Sequence, residues 1–118
     1  MKLLIVDDSV MIRNVIESLL KNMSFEIVGK AGNGVEALEM FKAHQPDLVT
    51  MDITMPEMDG LTALTQILEL QPEAKIIVVT ALNSKAVALQ AMNAGAKAVV
   101  EKPFNAEKLK AAIDIAMK

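Results

Sequence analysis

The chain has 118 residues, 53% of them apolar and 23% charged, which predicts one packed domain over residues 1–118 rather than a disordered segment. Twelve basic against fifteen acidic side chains leave a net charge of −3, so nothing electrostatic favours nucleic acid or an anionic membrane. The absence of cysteine, a single histidine and three phenylalanines as the only aromatics exclude disulfide scaffolds, thiolate or multi-histidine metal sites, and stacking platforms for bases or flavins.

The first element is the short apolar run Leu3-Leu4-Ile5-Val6, which stops at Asp7-Asp8. No signal peptide is read from this start, and no apolar stretch approaches the roughly 18 residues that a membrane span needs. The expectation is a soluble cytoplasmic protein. From Ser9 to Met23, apolar residues at Ile12, Val15, Ile16, Leu19, Leu20 and Met23 recur at helical spacing, with Asp8 or Ser9 as the cap. The segment Phe25–Ala31 partly alternates, as a half-exposed strand does. Asn33-Gly34-Val35-Glu36 has the form of a capping box with Asn as its first residue, opening a helix that carries Val35, Leu38 and Phe41.

After Pro46 comes a third strand, Leu48-Val49-Thr50-Met51, which also ends on an acid, Asp52. The turn-forming segment Met55-Pro56-Glu57-Met58-Asp59-Gly60 leads to a helix marked by Leu61, Leu64, Ile67 and Leu68 and closed by Pro72. Ile76-Ile77-Val78-Val79 is a fourth strand ending at Thr80, and an alanine-rich helix from Ser84 to Asn93 stops at Gly95. Ala98-Val99-Val100 is a fifth strand ending at Lys102-Pro103. A last helix from Asn105 aligns Leu109, Ala112, Ile113 and Ala116. Four continuous apolar strands alternating with helices predict an α/β doubly wound parallel sheet, covered on both faces, with the second strand at an edge.

In such a sheet ligands bind beyond the carboxyl ends of the strands. Those ends deliver Asp7 and Asp8, Asp52, Thr80 and Lys102. Taken singly, each has an ordinary reading as a cap, a strand former or a solvated lysine. Together they place every polar strand end on one edge. Three clustered carboxylates repel one another and call for a hard divalent cation such as Mg²⁺. A lysine and a hydroxyl opposite suit an incoming phosphoryl group, and a carboxylate can itself be the nucleophile that accepts it. Asp52, on the central strand, is the natural nucleophile.

These motifs, Ile5-Val6-Asp7-Asp8-Ser9, Asp52 with Met55–Gly60, Thr80-Ala81 and Lys102-Pro103-Phe104, resemble the receiver domain of two-component response regulators. The length resembles the single-domain chemotaxis regulators of the CheY type. The resemblance implies a flavodoxin-like (βα)5 sheet of strand order 2-1-3-4-5. It implies Asp52 as phosphoacceptor, Mg²⁺ held by Asp7, Asp8, Asp52 and the Thr54 backbone carbonyl, and Thr80 and Lys102 contacting the phosphoryl group. It implies a cis Lys102–Pro103 bond and catalysis only of the protein's own phosphorylation and dephosphorylation. A sensor histidine kinase would supply the phosphoryl group. A downstream target, in chemotaxis the flagellar switch, would bind the fourth helix, fifth strand and last helix. Two departures matter: Val99 stands where receivers often carry Tyr or Phe, and Leu82 offers nothing to orient a hydrolytic water.

Other readings fit less well. An aspartyl-phosphate phosphatase dependent on Mg²⁺ wants Asp-x-Asp and a longer chain, and a flavodoxin-type carrier wants a phosphate loop and aromatics. A pseudo-receiver would not keep the acids, Thr80 and Lys102 together. An intermediate phosphorelay carrier shares all these residues. His44, before Pro46, reads as a solvated helix terminus. Among the nine methionines, Met11, Met51 and Met92 are expected in the core, and Met55 and Met58 in an exposed loop.

Overall fold

The period-2 pattern of the strands and the 3.6-residue period of the helices sort the apolar residues into two layers around one sheet. The computed structural model describes residues 1–21, 23–53, 58–81 and 85–118. Strands and helices alternate in chain order as β1 (Lys2–Val6), α1 (Val10–Leu20), β2 (Glu26–Ala31), α2 (Gly34–His44) and β3 (Leu48–Asp52). Then follow α3 (Gly60–Leu70), β4 (Ile76–Ala81), α4 (Lys85–Ala94), β5 (Ala98–Lys102) and α5 (Ala106–Ala116). All five strands are parallel, in the order β2-β1-β3-β4-β5.

On one face, Leu3, Ile5, Ile77 and Val100 pack with Ile16 and Leu20 of α1 and with Leu109 and Ile113 of α5. On the other, Leu4, Val6, Met51 and Val78 pack with Leu38 and Phe41 of α2, Leu64 and Ile67 of α3, and Ala91 of α4. Each fully buried Leu or Ile stabilises the fold by roughly 1.5–3 kcal/mol relative to an exposed one. β5 is also an edge, yet it reads as apolar because Ala98 and Val100 are covered on one face and Val99 is half-buried on the other.

Helix starts follow the capping residues. Ser9 Oγ accepts from Ile12 N, Asn33 Oδ1 from Glu36 N, Asp59 Oδ1 from Thr62 N and Asn105 Oδ1 from Lys108 N. The expected capping box is only half formed, because Glu36 Oε1 accepts from Gly32 N instead of the Asn33 amide. Gly95 ends α4 at φ +117, a conformation that side chains disfavour. The Lys102–Pro103 bond is cis.

Two expectations about the core fail. Met11 and Met92 are 74% and 45% exposed, and only Met51 of the three is buried. Met11 and Val15 are four residues apart and share the outward side of α1, while the inward stripe is Ile16 and Leu20. Val35 is likewise exposed, and Gly34 and Ala37 take the inward positions of α2 with Leu38 and Phe41. Met58 is half-buried against the core, whereas Met55 lies outside the described residues.

Candidate active site

Strand order reverses between β1 and β3, since the chain leaves β1 for β2 on one side and returns to β3 on the other. The crevice at this reversal opens beyond the carboxyl ends of these strands. Asp7 and Asp8 directly follow β1, and Asp52 is the last residue of β3. Asp7 and Asp52 are buried and Asp8 is exposed, with one carboxylate oxygen of each lying within 4.8 Å of the others. The start of α3 packs closely on the end of β3 at Gly60, where a Cβ would fall 2.0 Å from the Asp52 carbonyl oxygen. Gly60 N also donates to Ile53 O at 2.8 Å, closing the loop after β3.

Asp7 is fixed atom by atom. Its backbone N–H donates to Ala31 O (2.9 Å) and its carbonyl accepts from Arg13 Nη1 (2.8 Å). Its Oδ1 accepts from Ser9 N (2.9 Å), and its Oδ2 faces Lys102 Nζ at 3.1 Å. The same ammonium lies 3.5 Å from Asp52 Oδ1. Apart from this ion pair, the buried Asp7 Oδ2 has no hydrogen-bond donor among the described residues.

Burial first, and the Asp7 carboxylate second, push the Asp52 carboxyl up to about 6. Lys102 pulls it back and Asp8 adds a smaller push. Burial works to lower the Lys102 ammonium, but Asp52 and Asp7 outweigh it and hold its pKa above the ordinary value. Three carboxylates against one ammonium leave a formal excess of two negative charges. An all-oxygen donor set with that excess, and with an under-coordinated buried carboxylate oxygen, fits a hard divalent cation such as Mg²⁺.

Thr80 is buried in β4, one residue beyond Val79, which pairs with Asp52 in register. Thr54 and Leu82 lie outside the described residues. His44 is exposed at the last residue of α2. Helices here run antiparallel to the strands, so it belongs to the opposite edge from the acids. The site contact that the sequence reading missed is Arg13. Its signal was a cation near the start of α1, where the helix dipole disfavours one.

Residues 3–114 match the sequence model of the response regulator receiver domain. The chain is 46% identical over 113 residues to the chemotaxis protein CheY of Bacillus subtilis, covering 96% of this chain and 94% of that one. It is 44% identical over 118 residues to CheY of Listeria monocytogenes, covering 100% and 99%. A crystal structure of a CheX–CheY–BeF3–Mg²⁺ complex from Borrelia burgdorferi superposes with a TM-score of 0.94 at 34% identity. That match covers 99% of this chain and 89% of that one.

Proposed function

Since the chain belongs to the response regulator receiver family, we propose that it is a chemotaxis switch of the CheY kind, phosphorylated on Asp52. Receiver domains are signalling switches of two-component systems rather than enzymes acting on other substrates, and the chain's chemistry is its own phosphorylation and dephosphorylation. The supporting observation is the meeting of Asp7, Asp8 and Asp52 within 4.8 Å, with the Lys102 ammonium between two of them.

In this reading Asp7, Asp8 and Asp52, with the Thr54 carbonyl, hold Mg²⁺, which when bound neutralises charge on the incoming phosphoryl oxygens. An ionised Asp52 oxygen attacks phosphorus, a P–O bond forms, and the P–N bond to the kinase's phosphohistidine breaks as imidazole leaves. With its pKa near 6, Asp52 is mostly ionised at neutral pH and available as nucleophile. Lys102, kept charged by the acids, balances the negative charge that accumulates. The Thr80 hydroxyl then turns toward the phosphoryl group and carries the change to α4.

The phosphoryl donor is a sensor histidine kinase. The downstream partner is a protein of the flagellar switch or of the CheX kind, bound on the face formed by α4, β5 and α5. Leu89 is exposed on α4, and the exposed Ile115 lines a cavity of about 580 Å³ with Met92, Val99, Pro103 and Ala111. All 118 residues act as one receiver unit in the cytoplasm, and no helix among the described residues is long and apolar enough to cross a membrane. Incubation with a small phosphodonor such as acetyl phosphate tests the reading by intact mass. One phosphoryl group should be gained with Mg²⁺ and none after chelation. Equal gain in both conditions would reject the metal-assisted reaction.

A further inference from the structure

The acid pair after β1 is held from outside the cluster, by Arg13 and by the corner between β2 and α2. Besides its bond to the Asp7 carbonyl, the Arg13 guanidinium lies against Gly32, where a Cβ would stand 3.0 Å from Nη1 and 3.4 Å from Glu36 Oε1. Glu36 Oε1 in turn accepts from Gly32 N at 2.7 Å. Two residues on, Gly34 N donates to Met58 O at 3.0 Å. A Cβ on Gly34 would lie 2.6 Å from that oxygen and 2.7 Å from Met58 Cβ, so the start of α2 touches the loop after β3 backbone to backbone. With Asp7 N donating to Ala31 O, residues 31–34 contact the loop that carries Asp7 and Asp8 and the loop that follows Asp52.

We propose that Arg13 and the Ala31–Gly34 corner brace these two loops against each other, making Arg13 a positioning residue for cation binding. The proposal rests on the Mg²⁺ reading of the acid cluster. Mg²⁺ demands near-octahedral geometry at about 2.0–2.1 Å, so small shifts of its carboxylates are felt in affinity. Groups that orient ligands without touching the metal typically change affinity by about 10–100-fold when removed. A guanidinium on the Asp7 carbonyl makes a charge-assisted bond. It also places a positive charge beside an acidic pair, at a helix position where a cation is otherwise disfavoured.

Arg13→Met keeps an unbranched stem of good helix propensity and removes the donors. Arg13→Lys keeps the charge, Gly34→Ala forces Met58 away, and Phe41→Leu is a core change remote from the acids. Mg²⁺ affinity would be measured by titration calorimetry well below melting. Amide exchange at Asp7 and Ser9 would be followed without metal. Arg13→Met should bind Mg²⁺ about tenfold more weakly and exchange faster at both amides, with Arg13→Lys in between. Gly34→Ala should also weaken binding, and Phe41→Leu should not. Unchanged affinity and unchanged exchange in Arg13→Met would overturn the brace, as would an equal loss of affinity in Phe41→Leu. If the wild-type protein bound no Mg²⁺, the cation reading would fail by itself. Exchange at Asp7 and Ser9 would then decide the brace, faster exchange in Arg13→Met supporting it and unchanged exchange rejecting it.

Discussion

Asp52 concentrates the electrostatic conflict of the molecule. Burial and the Asp7 carboxylate raise its pKa from 3.8 to about 6, so in metal-free protein its ionisation opposes folding. A carboxyl whose folded pKa is raised contributes stability that is full below the unfolded value and is lost as pH rises through the folded one. The stability difference between Asp52→Asn and wild type should therefore open between about pH 4 and pH 6 and favour the variant above that. Its size should be on the order of 2 kcal/mol: about 1.4 kcal/mol per pKa unit gives roughly 3 kcal/mol for this shift, and solvent screening in the open crevice reduces it. Denaturant melts in chelator at pH 4 and pH 7 check this, and a difference that did not grow with pH would contradict it. The acids and Lys102 were legible in the sequence because each lies within two residues of the end of an apolar run. Arg13 was not, because its partner is a backbone carbonyl six residues earlier, and a cation near a helix start signals a role without naming that partner. Met11 and Met92 misled because an apolar residue one step off the buried stripe turns by about 100° toward solvent.

At the scale of elements, strand and helix identities followed from periodicity and caps, and the differences lie at their ends. β4 runs one residue past Thr80 to Ala81, and α4 extends one residue past Asn93 to Ala94. The pairing of Glu36 with Gly32 was invisible because it depends on how the chain turns before Asn33. α4 is the most weakly anchored helix, with Ala91 as its only buried residue, while Leu89 and Met92 face out. Val99, half-buried where receivers often carry an aromatic, would on the proposed reading leave coupling to Thr80. A helix of small side chains over such a surface is suited to occupy two positions. A stable phosphoryl mimic should accordingly change amide exchange in residues 81–99 more than in α1 and α2. Mass-spectrometric exchange with and without the mimic measures this. Changes confined to α1 would place the output face elsewhere.

For the whole molecule, strand order and layer assignment decide which residues can meet. The sheet β2-β1-β3-β4-β5 puts the reversal between the two acid-bearing strands, a rule of ligand placement for which CheY is itself a standard illustration. Composition excluded cysteine, multi-histidine and aromatic-platform chemistries, and the strand ends supplied the remaining chemistry. Partner identity was not legible, because an exposed apolar face carries no record of what covers it. The central claim is that Asp52 is the phosphoacceptor. Its direct test is to phosphorylate the protein with a small phosphodonor in Mg²⁺, reduce the acyl phosphate with borohydride, and locate the modified residue by peptide sequencing. The account predicts modification at position 52 alone and none in Asp52→Asn. Modification at Asp7, Asp8 or His44 in the wild-type protein, or undiminished labelling of Asp52→Asn, would contradict it.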